Sequence, residues 1–430
     1  MKSVPVFVSL LSVFAFAAPV LTVDDLVRMA IEKSPDLNIS RADFNASVRR
    51  SDIASGDYLP RIDLSAAVGE TGVKAEVTGE NKTLSSTLMT GKVSASQLVY
   101  DFGKTGGNIR AYAYDANASR AALKQKISDK ILEVKRAFYN TLKAKTLIDV
   151  NRENVKLNEQ QLRRSERYFQ AGIRTRIDVS DARVNLISAR LALQNAHYEY
   201  RRARIRLAGA VGTEPFGGEY TLLTPELNTS TVLDTLPDVD ETLDTLSDFA
   251  YRHREEIRMY RQQVKSADER VTSARGDYFP GIRLNGDFTH NEVNEDLQLF
   301  VPKQQWNALV SVKWNLFEGM KTRAKIEERR AGVLKSRAEL SDAKLRIRQE
   351  VADAQVSVLK NRDALQLSKS LTEAAKEKFV QAQKRYEHGL SDYIELQQAR
   401  QGYIDASAAL VTSYYDFFIA LATLDRAVGR

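Results

Sequence analysis

The sequence predicts a mixed α and β protein that is mainly helical, with long antiparallel helical hairpins, four strands and an internal duplication. Three observations predict this class. The two halves of the chain align with each other at a shift of 216 to 220 residues, as in a duplicated domain. Proline, which helix interiors exclude, is absent between Pro60 and Pro215 and after Pro302. Two shorter segments alternate apolar and polar residues, which is typical of strands.

The first 17 residues have the pattern of a secretory signal peptide. Lys2 precedes an apolar run from Val4 to Phe16, and Ala15 and Ala17 suit a cleavage site. This run is too short to cross about 30 Å of hydrocarbon, and no later stretch offers about 18 consecutive apolar residues. The sequence therefore predicts an exported chain without a transmembrane helix.

Composition excludes several kinds of chemistry. The chain has no cysteine, so it has no thiolate metal site, cysteine nucleophile, disulfide or acylated N-terminal cysteine. Its 63 basic and 56 acidic residues are interspersed and give a net charge of +7. The basic run Arg201–Arg206 could bind phosphate, form a solvated helix face or contact acidic lipid or protein. Export argues against nucleic acid as a partner.

The duplication divides the mature chain into two repeats and a connector. The first repeat covers residues 18–212, the second covers 239–430, and a segment rich in Pro, Gly and Thr, 213–238, connects them. The segment Gly56–Pro60 matches Gly276–Pro280 in the second repeat, and Gly172–Asp178 matches Gly389–Glu395. Each repeat is expected to contain a helix, a strand pair, a long helix and a return helix.

Glycine, proline and apolar spacing place the helices. Gly172 is the only glycine within residues 108–208, and apolar residues recur there at three- and four-residue steps. We expect a break at Gly172 and an equivalent break at Gly389. The predicted helices cover about 23–57, 104–170 and 177–211 in the first repeat. In the second repeat they cover about 239–277, about 321–387, and the chain from the break at Gly389 to the end.

The strand pairs lie at about 60–100 and 280–317. In the last strand, Trp306, Ala308, Val310, Val312, Trp314 and Leu316 share one face. Such alternation fits either strands that span lipid or hairpins half-buried on a soluble core. Helices of about 100 Å leave no compact domain for such hairpins to cover. Because four strands cannot close in lipid, other copies must supply strands, and three chains are the smallest arrangement expected to leave a pore.

These features together resemble the TolC-like outer-membrane efflux family over the whole mature chain. The resemblance rests on the segments Leu21–Ala30 with Ser34–Leu37, Tyr58–Pro60 with Tyr278–Pro280, Trp314–Gly319, and Arg385–Leu396. It implies a homotrimer with one shared membrane β-barrel, four strands per chain, and a periplasmic α-barrel. It also implies a passive exit duct for efflux or type I secretion, joined by a periplasmic adaptor (membrane fusion) protein to an inner-membrane transporter.

The resemblance also implies two sets of functional residues at the helix turns. The expected periplasmic gate consists of Asp178, Asp181, Tyr386 and Glu395. The expected adaptor contacts are Ala171, Gly172, Ile173, His388, Gly389 and Leu390. Two residues depart from the family pattern, because Gln398 replaces an acidic residue and Ser391 replaces a basic one.

Simpler structural roles compete with the gate. Thr175–Asp178 and Asp392–Glu395 each fit a capping box, in which the acidic residue bonds a free backbone amide at the start of a helix. Tyr386 could be a packed aromatic residue, and the two turn glycines could simply end helices. Capping and gating are compatible.

We find no catalytic, metal or cofactor site in the sequence. Phe102–Thr105 ends like a phosphate-binding loop, but Leu98 stands where the first glycine should be. The four histidines lack ligand spacing: His197, His253, His290 and His388. The alternative class is a secreted or periplasmic coiled-coil structural or adaptor protein without a pore, and a secreted enzyme ranks third. Duplication with two strand pairs argues against an adaptor, which would have one hairpin.

Overall fold

A computed structural model describes residues 20–77, 80–215, 221–222, 241–293 and 301–430. The predicted signal peptide, 1–17, and most of the predicted connector, 213–238, lie outside the described residues. The chain forms two compact units. The helical unit comprises Met1–Asn38, Lys126–His253 and Ile347–Arg430, and the sheet unit comprises Ile39–Gln125 and Arg254–Arg346.

Eight helices account for most of the described residues. They are α1 (Val23–Lys33), α2 (Pro35–Gly56), α3 (Lys104–Gln170), α4 (Arg176–Val211), α5 (Leu243–His253), α6 (Glu255–Gly276), α7 (Lys321–Glu387) and α8 (Tyr393–Val428). The bounds predicted for α3 and α7 are confirmed. The single helices predicted at 23–57 and 239–277 are wrong, because each is interrupted once. Pro35 lacks an N–H group and holds Ser34 in an extended conformation, while Arg254 is extended and donates to Glu256 at 2.8 Å.

The strands form one large sheet and one short pair. The large sheet has the order β2 (Arg61–Val77), β3 (Glu80–Tyr100), β5 (Gly281–Glu292), β6 (Gln304–Lys313), and every neighbouring pair is antiparallel. The sequence did not reveal the short parallel pair of β1 (Val20–Leu21) and β4 (Thr221–Leu222).

The last strand is shorter than predicted. β6 ends at Lys313, which pairs with Gly281, so Trp314 and Leu316 lie outside the strand. The ladder stops there because the residue before Gly281 is Pro280, which has no N–H group to donate. The Trp314 indole instead donates to the carbonyl of Tyr278 at 3.0 Å.

The register gives the large sheet two different faces. Residues opposite each other in an antiparallel pair point to the same side. One row across the four strands is Leu64, Val93, Phe288 and Trp306, all exposed and apolar. The adjacent row, on the other side, is Asp63, Ser94, Asp287 and Asn307. We call these sides the apolar face and the polar face.

The core of the helical unit joins α1, α3, α4, α7 and α8. Its buried members include Leu26, Phe138, Leu142, Leu207, Leu365, Leu410 and Tyr415. Among the described helices, only α8 is apolar and long enough to cross a membrane, which qualifies the expectation that no such helix exists. Many of its apolar side chains, including Phe417, are buried against the other helices. Packing in the core accounts for the composition of α8.

Candidate functional site at the helix turns

The two hairpins of the helical unit end in turns of the same geometry. Gly172 and Gly389 both have a φ of +71°, which glycine adopts at little cost. In each turn the following N–H group donates to a carbonyl five residues earlier, from Ile173 to Tyr168 and from Leu390 to Arg385, both at 2.9 Å. This hydrogen-bond pattern is the Schellman motif, which ends a helix.

Each turn exposes the residues predicted to contact an adaptor. Ala171, Gly172, His388 and Gly389 are exposed. The apolar side chains of Ile173 and Leu390 are 65% and 70% exposed. In both turns, an exposed apolar side chain directly follows the turn glycine. This arrangement suits a small docking surface.

Different bonds cap the helices that follow the turns. At the start of α4, the N–H and hydroxyl groups of Thr175 both donate to Asp178 Oδ2 at 3.0 Å, so the predicted capping box is present. At the start of α8, the N–H of Glu395 donates to Asp392 Oδ1 at 2.8 Å. The reciprocal half of this predicted box is wrong, because the Glu395 carboxylate lies 3.3 Å from Arg385 Nε instead.

Tyr386 is buried at the centre of an aromatic cluster. Its side chain is 1% exposed, and its ring centroid lies 6.5 Å from that of Tyr168 and 6.3 Å from that of Tyr393. Within the described residues, the Tyr386 hydroxyl has no hydrogen-bond partner. The packed-aromatic role is therefore present.

Arg174 connects the two turns. Its guanidinium carbon lies 5.0 Å from the centroid of the Tyr386 ring, and its Nη2 donates to the carbonyl of Ser391 at 3.3 Å. Arg174 in the first repeat occupies the position that matches Ser391 in the second. The basic residue expected after the second turn is thus present on the first turn, where it reaches across to the second.

Two further contacts hold the hairpins together near the turns. Arg164 of α3 pairs with Glu387 of α7 at 2.8 Å. A hydrogen bond from Gln383, together with the charge of Arg164, lowers the pKa of Glu387. Asn185 of α4 donates to the hydroxyl of Tyr393 at 2.8 Å, although burial raises the pKa of this phenol more than the bond lowers it.

Arg400 is a buried cation in the same region. It is 3% exposed and donates to Gln397. No ion pair of Arg400 occurs within the part of the chain that the structure describes. Burial lowers the pKa of its guanidinium, because removal from water disfavours the charged form.

Each of the predicted gate residues with a recorded contact meets a residue outside the predicted set, and no bond joins two of the four within the described residues. Tyr386 joins the turns through Arg174, whereas Asp178 bonds to Thr175 and Glu395 lies beside Arg385. Asp181 is exposed. The sequence reasoning missed Arg174, although the alignment of the repeats carried a signal, since Arg174 stands opposite Ser391. It also missed Asn185, for which we find no sequence signal.

A sheet with one exposed apolar face, joined to helices of 67 residues that end in matched turns, defines a class of protein. It is the class of outer-membrane channel proteins that combine a small antiparallel sheet with long helical hairpins. The chain belongs to the outer membrane efflux protein family, whose sequence profile matches residues 26–213 and 246–430. It is an outer-membrane protein of the TolC type, and the family consists of channels rather than enzymes.

Individual relatives agree with this assignment. Protein CyaE of Bordetella pertussis is 25% identical over 403 residues, covering 90% of this chain and 81% of that protein. Outer membrane protein TolC of Vibrio cholerae is 20% identical and covers 100% of this chain and 95% of its own length. The solved structure of outer membrane protein VceC from Vibrio cholerae superposes with a TM-score of 0.80 at 17% identity, covering 95% of this chain and 96% of that one.

Proposed function

We propose that the chain is one subunit of a trimeric channel that serves as the passive exit duct of a tripartite efflux or type I secretion system. In this proposal the two repeats contribute one strand pair each to a shared β-barrel in the outer membrane. The helices form a periplasmic tunnel that closes at the turns. The family assignment supports the channel class, and the subunit arrangement rests on the following observations.

The apolar face of the sheet carries the proposal. Its row of Leu64, Val93, Phe288 and Trp306 is exposed on every strand, as a surface that meets lipid must be. The sheet has two open edges within the chain, at β2 and β6. Unpaired backbone groups at these edges would cost several kcal/mol each in lipid, so copies of the chain must pair with them.

The helical unit also presents surfaces that suit another copy. On α4, exposed apolar residues recur every seven positions, at Ile177, Val184, Leu191, Tyr198 and Ile205. A seven-residue repeat is the spacing at which helices pack along a shared seam. On α7 the exposed apolar residues in this unit are Val356, Leu367, Leu371 and Val380. Packing of these stripes against neighbouring copies would close the tunnel.

Closure at the turns is the proposed gate. Arg174 holds the buried Tyr386 and the Ser391 carbonyl of the same chain, so each chain keeps its two turns together. Asp178, Asp181 and Glu395 lie beside these turns and would bring acidic groups from three chains near the common axis. An acidic ring attracts cations, so the conductance of the channel should be cation-selective.

The exposed turns are the proposed adaptor contacts. The matched pairs Gly172 with Ile173 and Gly389 with Leu390 give two equivalent sites per chain. A periplasmic adaptor protein docked there would join the channel to an inner-membrane transporter. Outer-membrane lipid is the third proposed partner, at the apolar face.

Conductance in planar bilayers tests the channel. The purified mature protein should insert and produce discrete single-channel currents that favour cations. The alternative, a coiled-coil structural or adaptor protein without a pore, predicts a protein that stays soluble without detergent and leaves the bilayer resistance unchanged. That second result would overturn the proposal, because the apolar face would then have to be covered by something other than lipid.

A further inference from the structure

A cavity of about 610 Å³ lies in the sheet unit, on the polar face of the sheet. Side chains from β5 and β6, the end of α6 and the starts of α3 and α7 line it. Its charged lining residues are Asp101, Lys104, Asp277, Arg283, Lys313, Glu318 and Lys325. Arg283 is opposite Ser311 in the register, and Lys313 is opposite Gly281, so both basic residues belong to the polar face.

Some of these charges are already balanced inside the cavity. Lys104 and Lys325 bond to the two oxygens of Asp277 at 2.7 Å and 2.6 Å. Burial would raise the pKa of Asp277, but these bonds outweigh burial and lower it. Asp101 accepts a hydrogen bond from the N–H of Thr105 at 2.8 Å through one oxygen. Its other oxygen is buried and has no partner within the described residues.

Arg283 and Lys313 are different, because no carboxylate pairs with either of them in the described ranges. The other two basic side chains described on the polar face both have acidic partners. Arg61 lies 2.9 Å from Asp63, and Lys92 lies 3.9 Å from Asp287. Over the whole lining, the four basic residues Lys104, Arg283, Lys313 and Lys325 outnumber the three acidic ones, Asp101, Asp277 and Glu318, so a net positive charge remains in the cavity.

The arrangement leaves room for a ligand between the two cations. Arg283 and Lys313 are diagonal neighbours on adjacent strands, within reach of one small group. Gly281, which faces Lys313, has no side chain, and nothing lies within 4 Å of where one would begin. Both cations are exposed to the cavity side of the sheet.

We propose that this cavity binds an oxyanionic group, such as a phosphate, of a solute that passes through the channel. Arg283 supplies a planar guanidinium that can bond two oxygens at once, and Lys313 adds a second positive charge. The inference rests on the proposed function, because the polar face lines the lumen only in the shared barrel. Three chains would place six such cations at one level of the barrel.

The ligand belongs to the aqueous lumen rather than to the membrane. The cavity is on the polar face, whereas lipid would contact the apolar face on the other side of the same strands. A lipid phosphate could not reach Arg283 without crossing the sheet. The site would therefore favour passage or retention of anionic solutes that the acidic turns alone would repel.

Block of single-channel current by inorganic pyrophosphate tests the site. The wild-type channel is recorded in a bilayer of zwitterionic lipid with about 0.1 M KCl, where surface charges are only partly screened. Pyrophosphate is added to each chamber in turn and should block the current. Lys313→Gln and Arg283→Gln should each raise the pyrophosphate concentration that halves the current by about tenfold, which is the effect of losing one charge-assisted contact. Lys313→Arg should retain the block.

Arg61→Gln is the matched control, because it removes the same number of charges per channel from the same face but away from the cavity. If the cavity binds the anion locally, Arg61→Gln should change the pyrophosphate concentration that halves the current by less than about twofold. The reason is that salt screens charges beyond about 10 Å. Equal weakening by Arg61→Gln and Lys313→Gln would overturn the site in favour of a diffuse lumen charge. Unblocked wild-type channels would also overturn it while leaving the channel function intact, whereas absence of any current would refute the channel itself.

Discussion

Removal of the Arg174 side chain should loosen the closed turns. Arg174 is half-buried, lies 5.0 Å from the Tyr386 ring and donates to the Ser391 carbonyl at 3.3 Å. A cation over an aromatic ring contributes about 1 kcal/mol in such a position. The long hydrogen bond adds about 1 kcal/mol. The variant Arg174→Gln should therefore change the free-energy difference between joined and separated turns by about 2 kcal/mol per chain. This corresponds to a factor of about 30 in the equilibrium constant.

Single-channel recording measures this shift directly. Arg174→Gln channels should show a higher mean conductance than wild-type channels, and Arg174→Lys should lie between them because it keeps the charge. Arg176→Gln is the matched control, since Arg176 is an exposed arginine two residues further along the chain. Its conductance should equal that of the wild type.

Three outcomes would refute the reasoning. Equal conductance of Arg174→Gln, Arg176→Gln and wild-type channels would show that the contact does not restrict the opening. A lower melting temperature of Arg174→Gln without a conductance change would reduce the contact to a packing role. An equal rise in both variants would assign the effect to net charge at the turns.

Three further predictions concern the same turns. Asp178→Ala removes the capping box and should lower the free energy of unfolding by about 0.5–2 kcal/mol. The double variant Asp178→Ala/Tyr386→Phe should also raise the single-channel conductance. A lower melting temperature of the double variant with unaltered conductance would leave capping as the whole role. Gly389→Glu forces a side chain into a φ of +71°, at a cost of about 1–2 kcal/mol, and should abolish cross-linking to the adaptor while trimers persist; unchanged cross-linking would contradict the docking assignment. Because the pKa of Glu387 is lowered from 4.5 in the folded protein, its contribution to stability is complete above about pH 4.5 and is lost as the pH falls through the lower folded value. The melting temperature of Glu387→Gln should therefore decrease less between pH 7 and pH 3 than that of the wild type. An equal decrease in both proteins would contradict this contribution.

The helices could be predicted from the sequence where local chemistry sets their ends. Gly172 and Gly389 end α3 and α7 because only glycine adopts the required φ without strain. The break before Pro35 was also readable in principle, since proline cannot donate a hydrogen bond. The break at Arg254 was not, because it depends on a buried bond to Glu256 that spacing alone does not reveal.

Features that depend on a partner strand or a second turn were beyond the sequence. The end of β6 at Lys313 follows from Pro280, which precedes the paired strand. The role of Arg174 depends on Tyr386 and Ser391, more than 200 positions away in the chain. Ser391 stands where the family pattern has a basic residue, and the alignment of the repeats sets Arg174 opposite it, but that alignment does not show that Arg174 reaches across to the second turn.

The mass of the purified mature protein in detergent micelles, measured by native mass spectrometry, tests the central claim most directly. The open edges at β2 and β6 require pairing with other copies in lipid, so the account predicts a particle of three chains. A folded single chain that inserts into bilayers would contradict it.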